Sequence, residues 1–431
     1  MRQATNSRAR VLGAALVGTS VEFYDFYIYS TAAALVLGPL FFPSDQPGLD
    51  LLLSYASFSV AFFARPVGAI AFGHFGDRIG RKSTLVASLL IMGLSTFLIA
   101  FLPGYNTIGW AAPVLLCLLR FGQGFGLGGE WAGAALLAVE NAPAGQRARY
   151  GMFPQLGAPV GFILSNGFFI LLGMWLSDGQ FMDWGWRIPF LGSAALIAVG
   201  LWVRLRIAET PRFAEALERE RPPSIPIAAV FRQHPRAVIA ATFACVISFS
   251  IFYTTTAFAL GYATSELGIA RDAFLKYQLL AILFLAVGIV VSGFACDYFG
   301  GRRVLMASCA LTIPVALAMA PLLGGSPAEI VTFLSAGFFA MGLCYGPVGS
   351  FLPTLFPPLL RYSGMSFAFN MAGILGGGLT PLFAQGLTMH YGLAAVGYYL
   401  AATAALSFLG VLLAGNRVWA DLAAQGEATT A

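Results

Sequence analysis

The chain has 431 residues, of which 58% are hydrophobic and only 10% are charged, and its mean hydropathy is +0.79. Soluble globular proteins carry about 25% charged residues, so this composition excludes that class and indicates an integral membrane protein. The net charge of +5 comes from basic residues scattered over short segments. It therefore does not indicate a nucleic-acid partner.

Apolar runs between charged or Pro/Gly-rich breaks predict an all-α protein with twelve transmembrane helices, each long enough to cross a bilayer. The predicted spans lie at about 12–40, 51–72, 84–102, 111–139, 149–173, 187–207, 237–263, 273–294, 304–323, 329–355, 363–389 and 395–415. The first run follows three arginines but contains Glu22 and Asp25. It is too long and too polar for a signal peptide, so we expect it to remain as the first span.

A polar connector separates six predicted spans from the other six. We therefore predict an N-terminal six-helix bundle (1–207), a cytoplasmic linker (208–236), a C-terminal six-helix bundle (237–415) and a short cytoplasmic tail (416–431). A repeated charged stretch between the second and third spans of each half indicates duplication, which predicts two pseudo-symmetric bundles. Its copies are Gly73–Lys82 and Gly293–Arg303, and in each a glycine stands four residues before and three residues after the aspartate.

The placement of lysine and arginine predicts the orientation of the chain. With the N-terminus inside, the opposite side of the membrane receives only Arg187, Arg271 and Lys276 from the long set of basic residues. Cytoplasmic loops carry the excess of basic residues in membrane proteins. Both termini are therefore predicted to be cytoplasmic.

Charged residues inside predicted spans are costly and mark candidate functional sites. A buried arginine such as Arg120, in span four, stays protonated and needs an anion, and Asp25 or Glu22 in span one lies nearest in depth. A carboxylate in dry surroundings can instead take up a proton, so an Asp25–Arg120 pair has two states. This is the chemistry of a proton-coupled carrier; the alternative is a permanent structural bridge. We interpret Arg65 as a structural or snorkelling residue.

Further polar side chains share these spans. Glu130 is a third candidate for proton coupling, while Tyr29 follows Glu22 on one helix face and Gln123 follows Arg120. The candidate substrate contacts are Arg120, Gln123, Tyr29, Gln155, Asn166, Tyr253, Tyr345 and Asn370. Interhelical hydrogen bonds without ligand contact are the alternative interpretation.

Neither a cofactor nor a metal is predicted. Gly124-x-Gly126-x-x-Gly129 matches a dinucleotide fingerprint by letter but lies inside an apolar helix with no preceding strand, so we reject it. The three histidines and five cysteines lack metal-ligand spacing. Without a nucleophile–base arrangement, we do not expect an enzyme.

Several stretches resemble the major facilitator superfamily and, within it, the metabolite:proton symporter family, whose members carry α-ketoglutarate, citrate, shikimate, proline or betaine. Those stretches are Val21–Phe26, Phe63–Gly68, Gly73–Lys82, Arg120–Gly124, Gly128–Trp131, Glu140–Pro143, Pro154–Gly161, Trp184–Phe190, Glu209–Phe213, Leu352–Pro353 and Arg361–Gly364. The resemblance covers nearly the whole chain and is looser in the C-terminal half.

The resemblance implies a carrier of the bacterial inner membrane that works by alternating access, with the proton taken by Asp25 beside Arg120. It also implies a cytoplasmic gate built on the signature stretch between spans two and three. The implied gate residues are Gly73, Asp77, Arg78, Gly80, Arg81, Glu140, Arg149, Glu209, Arg212, Asp297 and Arg302. The second copy has Tyr298 and Gly301 where the first has Arg78 and Arg81, so we expect a weaker latch there.

The leading hypothesis is therefore proton symport of a small carboxylate, with the lipid bilayer, the substrate and the proton as partners of a monomer. The first alternative is a zwitterionic substrate such as proline or betaine. The second is a membrane sensor that does not transport. The tail, about 416–431, is shorter than the coiled coil that marks the osmosensing betaine/proline members of the family, so the resemblance disfavours an osmosensor.

Overall fold

The computed structural model describes residues 8–79, 81–206, 226–357 and 360–415. The regular structure within these ranges is helical, with no β-strand. A helix pairs its own backbone N–H and C=O groups, which is the condition for an apolar chain to stay in lipid. The predicted all-α class is thus confirmed.

The helices of the first half precede residue 207. They are α1 (Arg8–Leu35), α2 (Leu37–Phe41), α3 (Leu49–Ile79), α4 (Arg81–Ile99), α5 (Tyr105–Ile108), α6 (Ala111–Leu127), α7 (Glu130–Glu140), α8 (Arg147–Gln155), α9 (Gly157–Trp175), α10 (Asp178–Gln180), a π-helical segment Phe181–Gly185, and α11 (Arg187–Arg206).

The helices of the second half follow residue 225. They are α12 (Pro226–Gln233), α13 (Pro235–Tyr253), a π-helical segment Thr254–Phe258, α14 (Ala259–Ser265), α15 (Arg271–Phe299), α16 (Gly301–Leu317), α17 (Met319–Leu323), α18 (Pro327–Tyr345), α19 (Val348–Phe351), a 3₁₀ segment Leu352–Leu355, α20 (Arg361–Ala372), a π-helical segment Gly373–Gly378, α21 (Leu379–Tyr391) and α22 (Leu393–Leu413).

Eight helical segments in the described ranges are long and apolar enough to cross a membrane. The number is nine if Asp178–Gly185 and Arg187–Trp202, which meet at a 48° bend, form one span. The remaining predicted spans coincide with α1, α4 and α16, which do not meet that measure of length and hydropathy. The count of twelve and the location of the termini stay predictions.

The repeated charged stretch is mostly helical rather than a loop. Helix α3 continues past Asp77 to Ile79, and α15 continues past Asp297 to Phe299. Gly300 then adopts a φ of 87° before α16 begins, a left-handed conformation that glycine tolerates and a residue with a Cβ resists. One glycine makes this turn, so the connection is shorter than the stretch suggested.

Parts of the predicted linker and tail cannot be compared with the structure. Residues 207–225 and 416–431 lie outside the described ranges. The end of the predicted linker is helical: α12 ends at Gln233, and α13 begins at Pro235. The proposed division into two bundles and a linker stays a prediction.

Aromatic side chains from both halves meet at the centre of the molecule. The ring centroids of Phe26 and Phe62 are 5.0 Å apart, and Tyr253 of the second half lies 5.1 Å from Phe58 and 5.6 Å from Phe62. Tyr253 ends α13 and precedes one π-helical segment, and another begins at Gly373. Such π segments often mark functional sites, and these two lie beside the cavity described next.

Candidate functional site

A small cavity lies between the two halves. Residues of α1, α3, α6, α7, α13 and α20 and the linking Gly128 line it: Glu22, Phe23, Phe26, Arg65, Leu127, Gly128, Trp131, Ala132, Phe249, Tyr253, Ser366, Phe369 and Asn370. Its volume of about 40 Å³ is enough for a few water molecules but far below that of a metabolite site. In this conformation the cavity is therefore too small to hold a metabolite.

Arg65, interpreted from the sequence as a structural or snorkelling residue, is the cation among the residues that line this cavity. Its side chain is buried, and its guanidinium carbon lies 4.3 Å from the ring centroid of Phe26 and 4.6 Å from that of Phe62. Its Nε has no hydrogen-bond partner within the described ranges. Glu22 is within electrostatic range and lines the same space. The packing thus places a cation and a carboxyl group around one cavity.

Arg120 is also fully buried but is not among the residues that line the cavity. Its Nη1 donates a hydrogen bond to Oε1 of Gln123, and its guanidinium lies 3.9 Å from the ring centroid of Tyr29 and 4.4 Å from that of Phe26. Phe26 therefore lies against the guanidinium groups of both Arg65 and Arg120. In this conformation Arg120 packs against Phe26, a residue of the cavity wall, on the side away from the cavity.

The expected ion pair between Asp25 and Arg120 is not formed in this structure. Asp25 is fully buried. Neither of its carboxylate oxygens has a hydrogen-bond partner within the described ranges. The hydroxyl group of Ser193 is nearby but lacks hydrogen-bond geometry. Gln123 explains the separation: it accepts from Arg120 and donates from Nε2 to the backbone carbonyl of Asp25 at 2.9 Å. The amide links the two residues without joining their charges.

The remaining acidic and aromatic candidates in the first half make local contacts. Glu130 is buried and accepts a hydrogen bond from the hydroxyl group of Ser88. The hydroxyl groups of Tyr29 and Ser57 are 2.7 Å apart. Gln123 also donates to Thr96 at 2.9 Å. These contacts hold the first-half helices together around the cavity.

The uncharged candidates divide into two groups. Tyr253 and Asn370 line the cavity, and Tyr345 lines an adjoining one of about 20 Å³. Gln155 donates to the backbone carbonyl of Tyr345 at 3.2 Å, and Asn166 donates to Gln278 at 3.3 Å. These last two bonds join the halves, so Gln155 and Asn166 match the interhelical interpretation in this conformation.

An aromatic stack between the halves was not predicted. Trp131 and Phe369 line the cavity with ring centroids 3.6 Å apart and planes 6° from parallel. The indole Nε1 of Trp131 donates to Gln155 at 2.9 Å, which orients the ring. The family-like stretch around Trp131 drew attention to that residue, but nothing in the sequence signalled its partner 238 positions away.

One end of the molecule carries a contact between Asp297 and the start of α8. The carboxylate of Asp297 accepts the backbone N–H groups of Ala148 and Arg149 at 2.8 and 3.1 Å, and Arg149 Nε lies 3.2 Å from it. The N-terminus of a helix favours a carboxylate. We call Asp297, Ala148 and Arg149 the Asp297 latch. It is well formed despite the substitutions expected to weaken it.

Two further predicted gate residues, Arg302 and Glu140, have defined surroundings in the structure. Arg302 donates to the carbonyl groups of Val411 and Leu412, both at 3.3 Å. Glu140 lies within electrostatic range of Arg361 in the other half. The structure describes the backbone of α3 and α4 at Gly73, Asp77, Arg78 and Arg81 but not the side chains there. Gly80, Glu209 and Arg212 lie outside the described ranges.

The sequence matches a known family and several named transporters over most of its length. The family model described as Major Facilitator Superfamily matches residues 15–381. The inner membrane metabolite transport protein YhjE of Escherichia coli is 49% identical over 95% of this chain and 94% of its own length. The shikimate transporter of the same bacterium is 36% identical, covering 95% and 96%, and its proline/betaine transporter is 30% identical, covering 93% and 82%.

Solved structures show the same fold at low sequence identity. The xylose transporter XylE from Escherichia coli, in a partially occluded inward-open conformation, has a TM-score of 0.74 at 14% identity. That comparison covers 94% of this chain and 98% of the other. A structure described as a D-xylose-proton symporter has a TM-score of 0.70 at 18% identity, covering 94% and 97%.

Proposed function

Since this chain belongs to the Major Facilitator Superfamily, we propose that it is a proton-coupled symporter of a small organic acid in the bacterial inner membrane. It alternates between states open to either side, with both termini in the cytoplasm and twelve spans. The observation that carries the proposal is the cavity between the halves, which both Arg65 and Glu22 line.

Arg65 is the proposed anion-binding residue. A guanidinium group binds a carboxylate through two parallel hydrogen bonds, and Nε of Arg65 has no partner within the described ranges. A substrate carboxylate bound there would approach Glu22. Protonation of Glu22 removes that repulsion, so one proton would accompany each substrate carboxylate and the net charge of the cavity would be unchanged. Asn370, Tyr253 and Tyr345 are the proposed polar contacts for the rest of the substrate.

Asp25 remains the second candidate for the proton. It lies three residues beyond Glu22 on α1, and its oxygens lack partners in the described part of the chain. A buried, isolated carboxylate is costly, and a neutral carboxylic acid avoids that cost. We assign Asp25 and Glu22 together to proton coupling, with Glu130 as the third buried acid. Arg120 and Gln123, with Tyr29, position α1.

The gate is proposed to work through charges between the halves. The Asp297 latch holds α8 and α15 together in this structure, and Asp77, Arg78 and Arg81 are proposed to act likewise in the first copy. Breaking these contacts opens that side. Asp77→Asn is therefore expected to lower the transport rate more than the substrate affinity; loss of binding at unchanged turnover would contradict this division.

A zwitterion such as proline or betaine is the alternative substrate. The aromatic lining favours it, because aromatic faces bind ammonium groups and Phe23, Phe249 and Phe369 surround the same cavity. A sensor that does not transport is the remaining alternative. Its expected signature is ligand binding without counterflow of any metabolite.

The deciding experiment is uptake into proteoliposomes with an imposed pH gradient, using a panel of carboxylates, amino acids and betaines. The proposal expects carboxylates to accumulate only when the gradient drives protons inward. A charge-neutral control variant, Thr388→Val, removes a hydrogen bond to the carbonyl group of Ala384 that lies within α21 and outside the cavity. Accumulation of betaines alone would favour the alternative, and accumulation without a pH gradient would contradict proton coupling.

A further inference from the structure

Helix α15 carries a contact with the first half at each of its ends. Asp297, near its last turn, forms the Asp297 latch, and Arg271 is its first residue. These residues are 26 positions apart in one continuous helix, which corresponds to about 39 Å along its axis. The helix therefore spans the molecule between two sites of contact with the other half.

Arg271 contacts the first half through charge and through an aromatic ring. Its Nη2 lies 3.4 Å from Oδ1 of Asp178, and its guanidinium carbon is 3.9 Å from the ring centroid of Phe181. Its Nε donates to Asp272, the next residue, at 2.9 Å. We call Arg271, Asp272, Asp178 and Phe181 the Arg271 latch.

The ring contact is the stronger part of the Arg271 latch. The side chain of Asp178 is 96% exposed, so its ion pair with Arg271 is screened by water and contributes little. Phe181 is buried, and the side chain of Arg271 is only 14% exposed. A guanidinium group withdrawn from water over a buried ring gains more from the contact.

A glycine in α9 makes room for this latch. A Cβ atom on Gly173 would lie 2.4 Å from both carboxylate oxygens of Asp272, which is closer than Cβ contacts in proteins, so an alanine there would displace that carboxylate. The carboxylate of Asp272, which orients Arg271, therefore sits directly on the backbone of α9. Gly167, in the same helix, has open space where its Cβ would be. Substituting each glycine by alanine therefore distinguishes an effect on the Arg271 latch from a general effect of alanine on α9.

We propose that the Arg271 latch closes the face opposite the Asp297 latch and that α15 couples the two. In each open state one latch is held and the other is broken, while this structure holds both. The Asp297 latch alone stabilises the outward-open state and the Arg271 latch alone stabilises the inward-open state. The inference rests on the proposed alternating-access transport.

The test measures which face is open, without any substrate. Thr256→Cys places a thiol in the π-helical segment packed against α1, where the native side chain is 4% exposed. A Cys117→Ser background removes the one native cysteine that is not buried. A membrane-impermeant maleimide is added to the outer face of right-side-out vesicles, and the labelling rate is compared for Gly173→Ala, Gly167→Ala and Arg271→Gln.

Gly173→Ala and Arg271→Gln are expected to label about fivefold faster than Gly167→Ala, since the outward-open state gains population when its competitor loses a latch. Asp297→Asn is expected to label more slowly than its parent. If Gly173→Ala does not fold, Arg271→Gln carries the test. Equal rates for Arg271→Gln and its parent, or faster labelling of Asp297→Asn, would overturn the proposal. Shifted labelling in a protein that transports nothing would instead contradict the proposed function.

Discussion

Replacing Arg65 by glutamine tests which buried arginine binds the substrate. The structure places Arg65 on the cavity and Arg120 behind its wall, in contact with Gln123. A charged hydrogen bond contributes about 1.5–3 kcal/mol when its partner is otherwise buried. Removing the guanidinium should therefore weaken substrate binding by about 10- to 100-fold. Arg65→Lys keeps the charge but not the planar pair of donors, so it should recover part of the affinity.

The assay is initial-rate uptake of labelled substrate at several concentrations, with thermal unfolding of the purified variants as the measure of stability. Arg187→Gln is the matched control. Arg187 donates to the carbonyl groups of Ala100 and Leu102 at 2.8 and 2.7 Å, away from the cavity, so its loss should lower Tm without changing KM. Arg120→Gln should mainly lower Tm and the maximal rate.

Two results would refute this reasoning. One is a change of less than about threefold in the KM of Arg65→Gln, well below the effect of a lost charged hydrogen bond. The other is selective loss of substrate binding in Arg120→Gln with stability retained. The first would remove Arg65 from substrate binding, and the second would place the anion site around Arg120 in a conformation different from this one.

Three further predictions concern coupling, gating and closure. Asp25→Asn should retain counterflow but lose accumulation driven by a pH gradient; accumulation as steep as in the wild type would remove Asp25 from the coupling site. Asp297→Asn should weaken the contact with Arg149 by about 1 kcal/mol. In uptake kinetics it should lower the maximal transport rate more than it changes KM. Trp131→Leu should lose a stack on Phe369 worth about 0.5–1.5 kcal/mol and lower Tm, whereas Trp131→Phe should largely restore it.

The buried charges of α1 can be recognised from the sequence, but their partners cannot. Glu22 and Asp25 were identified because a carboxyl group within a span is costly and needs a role, and both are buried in the structure. Their partners were not identified. Depth along a helix can be counted from the sequence, but the direction a side chain faces depends on how neighbouring helices are rotated. That is why Arg120 was paired with Asp25 although Gln123 lies between them.

For the gate, too, the sequence identified a residue but not its partners. The repeated stretch marked Asp297 as a candidate, and simple comparison with the first copy predicted a weak contact. The structure shows that its carboxylate binds the backbone N–H groups at the start of α8 as well as Arg149. Backbone groups carry no signature in a sequence, so the strength of this contact could not be judged from side chains.

The sequence by itself determined the membrane class, the helical architecture and the family, because hydropathy and the spacing of charges act locally along the chain. Tertiary structure alone decided that Arg65 rather than Arg120 faces the cavity, and that Trp131 stacks on Phe369 of the other half. It also decided that Arg271 and Asp297 contact the first half from opposite ends of α15. These are contacts between residues far apart in sequence, and they depend on how the two halves pack together.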